Sequence, residues 1–227
     1  PWGSAIINAA GYTGNPNVDA CETEKEACIE GNVVWPMKLR AKAAGLPIVH
    51  ISSGCVYTGY EKHWTEEDLP NFDLRNGSFY SGCKALAEKE FRATNHKSYL
   101  LRVRMPFGPV SHPKNLITKL NGYAKIIDQV QSVSNVEDVA KAAVWFALNK
   151  PEPGIYNCVN PGSLGIADFA PHKPRMDEAE FKSITKAPRS CCVLSSDKMQ
   201  KVFPMRNAIE ALAHCKSVLY HAQIAAV

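Results

Sequence analysis

The chain has 227 residues, of which 45% are hydrophobic and 21% charged, and its formal net charge is +4. This composition is typical of a globular protein, and the dispersed positive charge argues against a nucleic-acid-binding protein. No apolar run approaches the roughly 20 residues that cross a bilayer, and the amino terminus lacks a secretory signal. We therefore expect a cytosolic protein that does not bind membranes.

The predicted elements alternate between short apolar strands and amphipathic helices. In chain order they are a strand over Ser4–Ala10, a helix over about Cys28–Ala44, a strand over Leu46–Ser53, a helix over about Ser81–Ala93, a strand over Tyr99–Val103, a helix capped by Ser134 or Asn135, and a strand over Gly154–Asn160. This alternation predicts an α/β fold with a Rossmann-like, doubly wound parallel sheet. We expect a partial dinucleotide-binding domain at residues 1–149 and a small α/β substrate-binding lobe at residues 150–227.

One expected feature of such a fold is missing. A dinucleotide-binding sheet normally opens with a strand, a glycine-rich turn of the GxGxxG kind and a helix that holds the pyrophosphate. The sequence contains no such turn, and its first strand corresponds to the fourth of the usual six. We therefore expect the sheet to lack its first three strands.

The cysteines do not form a metal-binding pattern. There are eight of them, with no CxxC pair and no zinc-like spacing to the seven histidines. We expect no metal site, and we expect most of these thiols to be buried.

A candidate catalytic group lies in the segment FYSGCK. Tyr80 and Lys84 are one helical turn apart, so their side chains share a helix face, and the lysine charge is expected to lower the tyrosine pKa. Ser53 ends the strand Leu46–Ser53, at the edge where open α/β sheets bind ligands. A hydroxyl donor, a phenol and an ammonium together suit hydride transfer to a ketone, because the developing alkoxide needs a proton.

The motifs NAAGYTG, ISSGCVY, YSGCK and LRVRMPFG occur in the order found in extended short-chain dehydrogenases/reductases, which the chain resembles. Within them it is most similar to the bifunctional UDP-4-keto-6-deoxyglucose 3,5-epimerase/4-reductases, through LRVRMPFGPVSHPKNLITKL and APRSCCVLSSDKMQKVFP. The resemblance implies an enzyme that acts on a nucleotide-diphospho-sugar with NADPH, and NADH is the alternative cofactor. It also implies a homodimer.

The resemblance assigns roles to particular residues. Ser53, Tyr80 and Lys84 are the reductase group, and Cys55 and Lys119 exchange the protons at C3 and C5. Tyr80 and Lys84 also contact the cofactor. Two segments line the rest of its site: the first is Asn8, Ala9, Ala10, Gly11 and Tyr12, and the second is Met105, Pro106 and Phe107. The substrate is contacted by Ser53, Gly54 and Asn115, and Arg104 meets either a phosphate or a structural carboxylate. Asn32 supports the active-site strands, and in an extended backbone Cys55 is expected to point the same way as Ser53.

Two alternatives stay open at this stage. A dTDP-4-dehydrorhamnose reductase that leaves epimerisation to another enzyme would not need Cys55 or Lys119. A chain without the pyrophosphate cradle could also be a non-catalytic binding or regulatory partner. The sequence decides neither UDP against dTDP nor NADPH against NADH.

Overall fold

The computed structural model describes residues 5–93 and 97–224. Its strands are β1 Ile6–Asn8, β2 Ile48–Ser53, β3 Gly59–Trp64, β4 Tyr99–Val103, β5 Pro106–Phe107, β6 Ile126–Ile127, β7 Val130–Gln131, β8 Ser134–Asn135, β9 Gly154–Asn157, β10 Leu164–Gly165, β11 Arg175–Met176 and β12 Cys192–Leu194. Its helices are α1 Lys25–Ile29, α2 Trp35–Lys42, α3 Phe79–Ala93, α4 Leu116–Gly122, α5 Val136–Asn149, α6 Ile166–Phe169, α7 Glu178–Ile184, α8 Asp197–Val202 and α9 Ala208–Ile224. A π-helical turn, Glu30–Val34, joins α1 to α2, and 3-10 turns cover Val18–Glu22 and Gly54–Val56.

The main sheet has four parallel strands in the order β1-β2-β4-β9. Side chains alternate across it, as the pleat of a strand requires. Val49, Tyr99 and Leu101 pack on one face in a cluster that includes Phe146 of α5. Ile48 and Leu100 face a cavity lined by α2 and α3 on the other side. Helices therefore cover both faces, and the predicted doubly wound parallel sheet is confirmed.

The carboxyl-terminal third adds short strands to this core. β7 pairs with β10 and β6 with β11, while β12 pairs with β3. A second apolar cluster joins β5, β6 and β10 to α4, α6 and α9, with Phe107 and Phe169 in edge contact at 5.1 Å between ring centroids. β9 pairs with β4, so the main sheet extends beyond residue 149. The division into two parts at that residue stays a prediction.

The elements agree with prediction better than the helix faces do. α5 follows its Asn135 cap, whose side chain accepts from the backbone N–H groups of Glu137 and Asp138. The helical spacing of apolar residues from Val136 to Leu148 predicts one buried face, but Val144 and Leu148 of that face are exposed, while Ala142 and Phe146 are buried. In the helix after β1, Ile29 and Met37 are likewise exposed. A π-helical turn between them shifts the residues that face the core.

All eight cysteines are free thiols, and six of them are buried. Among residues 5–93 and 97–224, no three His, Cys, Asp or Glu side chains are arranged to hold a metal ion. Within the same residues, no helix has both the length and the apolar character that crossing a membrane requires.

Candidate active site

Ser53, Tyr80 and Lys84 come together at the carboxyl end of β2. Ser53 is the last residue of β2, and its Oγ accepts a hydrogen bond from the Cys55 N–H at 3.2 Å. Tyr80 lies in the first turn of α3 and Lys84 one turn later, with the Lys84 Nζ 5.7 Å from the centre of the Tyr80 ring. Tyr80 is 9% exposed and Lys84 is 3% exposed. A phenol, an amine and a hydroxyl are therefore held in one small buried region.

The charges of this group differ from the sequence prediction in one respect. Burial raises the pKa of Tyr80 well above its usual value, the nearby Cys55 thiol raises it further, and the Ser53 hydroxyl opposes the shift. Burial also lowers the pKa of Lys84, against the opposing effect of Cys55. The prediction of a lowered Tyr80 pKa is therefore wrong for this structure, because burial disfavours the charged phenolate. Tyr80 is held as a neutral phenol, the form that can donate a proton.

The loop after β1 crosses directly over Lys84. A Cβ atom at Gly11 would lie 3.2 Å from the Asn32 Oδ1 and 3.5 Å from the Lys84 Nζ, so a side chain here would press on both groups. Ala9, Ala10 and Gly11 are exposed. The loop therefore offers open backbone to a ligand directly above the lysine.

Side chains on both sides fix the shape of this loop. Asn32 is fully buried, its Nδ2 donates to the Tyr12 carbonyl at 2.7 Å, and its Oδ1 accepts from the Tyr12 N–H at 3.2 Å. Asn8 Oδ1 accepts from the Ala10 N–H at 3.1 Å, and its Nδ2 lies 2.9 Å from the His50 Nδ1. Burial lowers the pKa of His50 to about 3, so the ring is neutral and its Nδ1 accepts from Asn8. The asparagine expected to support the site thus binds the cofactor-side loop itself.

Cys55 lies beside Tyr80, although not for the reason expected. The chain leaves β2 in a 3-10 turn, Gly54–Val56, so Cys55 is not on an extended backbone and the alternation argument fails. Its side chain packs instead on the apolar cluster that contains Tyr80. Gly54 is buried in the same turn, where a Cβ atom would lie 2.5 Å from Leu194 and 2.9 Å from Arg104.

Lys119 lies in α4 and is half-buried. Burial lowers its pKa, and the positive charges of Lys114 and Arg189 lower it further. In the described parts of the chain it shares no hydrogen bond or ion pair with Cys55 or Tyr80. Its pairing with Cys55 in one reaction therefore remains a prediction.

Three predicted ligand contacts have other partners in the structure. Phe107 is completely buried in the core, so it cannot form a wall against a ligand, whereas Pro106 is exposed and Met105, at a positive φ of 40°, is half-buried. Asn115 caps α4 and donates to the carbonyls of Gly108 and Val110 at 2.8 and 2.7 Å, so its amide is already committed. The Arg104 Nη1 donates to the Ser190 Oγ at 2.7 Å and its Nη2 to the Gln131 side chain, so its partners among the described residues are a hydroxyl and an amide rather than the expected structural carboxylate.

The structure adds two features that the sequence did not reveal. The Cys28 and Cys83 thiols lie 3.8 Å apart in the apolar cluster that contains Tyr80, and hydrogen bonding with Cys83 lowers the pKa of Cys28. Asp19 forms an ion pair with Arg189 at 2.8 Å, although 170 residues separate them. Contacts between such distant residues leave no local pattern in the sequence.

The fold and this arrangement define a class. A parallel α/β sheet with Ser, Tyr and Lys gathered at its carboxyl edge, beneath an exposed loop, is the arrangement of a short-chain dehydrogenase/reductase. The comparisons with known proteins give the family. The model of the RmlD substrate binding domain matches residues 3–213, and the chain belongs to that family.

Individual relatives agree with this assignment. The chain is 32% identical over 222 residues to a bifunctional dTDP-4-dehydrorhamnose 3,5-epimerase/reductase of Arabidopsis thaliana, covering 88% of this chain and 72% of that protein. It is 31% identical over 219 residues to a trifunctional UDP-glucose 4,6-dehydratase/UDP-4-keto-6-deoxy-D-glucose 3,5-epimerase/UDP-4-keto-L-rhamnose-reductase of the same plant. That match covers 88% of this chain but only 32% of the relative's length. The predicted resemblance is confirmed.

Solved structures show the same fold. The UDP-rhamnose synthase of Acanthamoeba polyphaga mimivirus superposes with a TM-score of 0.85 at 24% identity, covering 95% of this chain and 82% of that one. The dTDP-4-dehydrorhamnose reductase of Bacillus anthracis, crystallised with NADP, superposes with a TM-score of 0.75 at 19% identity, covering 93% and 79%.

Proposed function

We propose that the chain reduces the 4-ketone of a nucleotide-diphospho-6-deoxyhexose, and that it first inverts the sugar at C3 and C5. The observation that carries the reductase part is the burial of Lys84 against Tyr80, beside Ser53 and beneath the Gly11 loop. The epimerase part and the choice of a UDP sugar rest on the similarity to the relatives and on the positions of Cys55 and Lys119.

The residues around Lys84 suit a nicotinamide cofactor, NADPH in this proposal. A Cβ atom at Gly11 would fill the space above Lys84, and the exposed backbone of Ala9, Ala10 and Gly11 leaves that side open. Lys84 and the loop Asn8–Tyr12 would hold the ribose and nicotinamide, with Met105 and Pro106 on the far side. When bound, this cofactor supplies the hydride.

Proton delivery to the C4 oxygen falls to Tyr80. Burial keeps its phenol neutral, so it is in the protonated form when the alkoxide develops. The Ser53 hydroxyl donates a second hydrogen bond to the same oxygen and stabilises its charge. Lys84 holds the phenol in place and stabilises the phenolate that remains.

Inversion at C3 and C5 also depends on the C4 oxygen, which carries the negative charge of an enolate in this step. The 4-ketone makes the neighbouring C–H bonds acidic, and the enolate that forms is stabilised by Ser53 and Tyr80. One group must remove a proton from each carbon and another must return a proton on the opposite face. Cys55 and Lys119 take these roles, and burial and neighbouring cations favour the neutral, basic amine at Lys119.

The test separates the two reactions. In D₂O, Cys55→Ser is expected to abolish deuterium incorporation at C3 or C5 of the keto sugar, while reduction of a pre-epimerised ketone continues. Cys191→Ser is the matched control, because Cys191 is another half-buried thiol, bound to Gln129 at 2.9 Å. Deuterium incorporation at the normal rate in Cys55→Ser would leave only the monofunctional reductase.

Two further parts of the proposal concern partners. Nicotinamide fluorescence tests whether the chain binds NADPH, and a chain that binds the sugar without NADPH would be a non-catalytic partner. We also propose a homodimer through α1–α2 and α3, where the apolar Ile29, Met37 and Leu86 are partly exposed. Analytical ultracentrifugation of Met37→Glu tests it, with the monomer as the expected result.

A further inference from the structure

Two cysteines from different helices meet next to the candidate active site. Cys28 lies near the end of α1 and Cys83 lies in α3, and their sulfur atoms are 3.8 Å apart. Both are buried in the apolar cluster that contains Tyr80. A disulfide bond is about 2 Å long, so a small shift of one helix against the other brings the two sulfurs to bonding distance.

The two thiols differ in their surroundings. The Cys28 Sγ accepts a hydrogen bond from the Asn32 Nδ2 at 3.4 Å, in addition to its contact with Cys83. Hydrogen bonding with Cys83 lowers the pKa of Cys28 against the effect of burial, and Asn32 and Lys84 act in the same direction as Cys83. The pKa of Cys83 is raised by its hydrogen bond with Cys28 and by burial. Cys28 is therefore the thiol that more readily becomes a thiolate, the form that reacts with peroxides.

Asn32 connects this pair of thiols to the loop over Lys84. The Nδ2 that reaches the Cys28 sulfur also donates to the Tyr12 carbonyl at 2.7 Å and to the Cys28 carbonyl at 3.0 Å. The Oδ1 of the same side chain accepts from the Tyr12 N–H at 3.2 Å. On the other helix, Cys83 directly precedes Lys84. A movement of the two sulfurs therefore acts on the anchor of the loop and on the helix that carries the lysine.

We propose that Cys28 and Cys83 are a peroxide-sensitive dithiol, and that its oxidation to a disulfide loosens the loop Asn8–Tyr12. The formation of the disulfide does not depend on the proposed function. Only its effect on NADPH rests on the proposed role of that loop.

The reaction uses one hydroperoxide for each disulfide. The Cys28 thiolate attacks an oxygen of the peroxide, so that an S–O bond forms and the O–O bond breaks. The released oxygen takes up the proton that Cys28 has lost, and Cys28 becomes a sulfenic acid. The Cys83 sulfur then attacks the Cys28 sulfur; the S–S bond forms, the S–O bond breaks, and hydroxide leaves with the Cys83 proton as water. Two electrons pass from the thiols to the peroxide.

The first readout identifies the bond. The chain is treated with hydrogen peroxide, its remaining thiols are blocked with N-ethylmaleimide, and it is digested with trypsin. Cys28 and Cys83 then lie on separate peptides, residues 26–38 and 76–84, that contain one cysteine each, whereas Cys21 lies on a peptide that ends at Lys25. We expect peptides 26–38 and 76–84 to be joined, and dithiothreitol to separate them.

Two variants sharpen this readout. Cys83→Ala should stop at a sulfenic acid on Cys28, which dimedone traps. Cys158→Ala is the matched control, because Cys158 is another buried thiol, with the Met205 sulfur 4.0 Å away, and this variant should form the cross-link as the wild type does. No cross-link between peptides 26–38 and 76–84, or a cross-link from 26–38 to the peptide of Cys21 in its place, overturns the inference.

The second readout follows the loop. In the cross-linked chain the Tyr12 amide should exchange its hydrogen faster, because its bond to the Asn32 Oδ1 is weakened. NADPH should bind about tenfold more weakly, the scale of one lost hydrogen bond. Cys83→Ala should keep its affinity after the same treatment.

The two readouts separate this inference from the proposed function. If the reduced chain binds no NADPH, the proposed cofactor role fails, yet the cross-link and the Tyr12 exchange still test the dithiol. A cross-linked chain with unchanged Tyr12 exchange would show that the disulfide does not act on the loop, and it would overturn that part of the inference.

Discussion

The substitution Asn32→Ala tests how the site is supported on its cofactor side. It removes the two hydrogen bonds that hold the Tyr12 backbone, of 2.7 and 3.2 Å, and a third to the Cys28 carbonyl at 3.0 Å. Each such bond contributes about 1 kcal/mol net, and alanine returns roughly 0.5 kcal/mol as a better helix former. Tyr12 is only half-buried, so water can reach its freed backbone groups. We expect the free energy of unfolding to fall by about 2 kcal/mol.

The same change should weaken cofactor binding, because the loop Asn8–Tyr12 loses its anchor above Lys84. We expect the Kd for NADPH to rise about tenfold, which corresponds to roughly 1.4 kcal/mol. Urea unfolding and nicotinamide fluorescence measure the two effects. Asn71→Ala is the matched control. In a different loop, the Asn71 Oδ1 accepts from the Thr58 N–H at 2.9 Å and the Asn71 Nδ2 donates to the Thr58 carbonyl at 2.8 Å, as Asn32 does with Tyr12.

The control should lose stability without losing affinity for NADPH. The reasoning is refuted if Asn32→Ala loses less than about 0.5 kcal/mol, half of one hydrogen bond. It is also refuted if the two variants weaken NADPH binding equally, because the loop would then not depend on Asn32.

Three further predictions concern stability. Arg102→Met removes one of the two arginines that pair with the fully buried Glu88 carboxylate, which accepts from the Arg102 Nε at 2.9 Å and keeps only Arg92. The loss should be about 3 kcal/mol in urea unfolding. The exposed Lys38→Met should cost less than about 1 kcal/mol, and equal losses in the two variants would contradict the account. Lys150→Gly should add about 0.5–1 kcal/mol in thermal unfolding, because residue 150 ends α5 at a φ of 49°, and a loss would show that this backbone is not strained. The pKa of His50 falls from 6.5 to about 3 on folding, so the unfolded chain binds the extra proton between these values and stability should decline as the pH drops through them. His50→Gln, which cannot titrate, should flatten that decline, and an unchanged slope points to other groups.

The main elements could be predicted because their signals are local. β4 was predicted with the bounds Tyr99–Val103 that the structure has, and α3 begins two residues before its predicted start. A buried parallel strand appears in the sequence as an apolar run between turn residues, and this pattern does not depend on which elements the strand packs against. β3, Gly59–Trp64, was missed because most of its side chains are exposed and its sequence GYEKHW carries no such run.

The site could be predicted in its residues but not in its electrostatics. Ser53, Tyr80 and Lys84 meet as expected, since a strand end and a helix turn fix their positions. The sign of the Tyr80 pKa shift depends on burial, which no spacing reveals. The resemblance places Phe107 in the wall against the cofactor, yet the alternation of β5 turns its side chain into the core. The ion pair between Asp19 and Arg189 joins residues 170 positions apart in the chain, so no local sequence pattern predicts it.

The most direct test of the central claim follows the hydrogens of one turnover. The chain is incubated with UDP-4-keto-6-deoxyglucose and NADPH in D₂O, and the product is analysed by NMR. The account predicts a rhamnose-configured sugar with deuterium at C3 and C5 and ordinary hydrogen, taken from NADPH, at C4. A reduced sugar that carries no deuterium at C3 and C5, or no oxidation of NADPH at all, would contradict it.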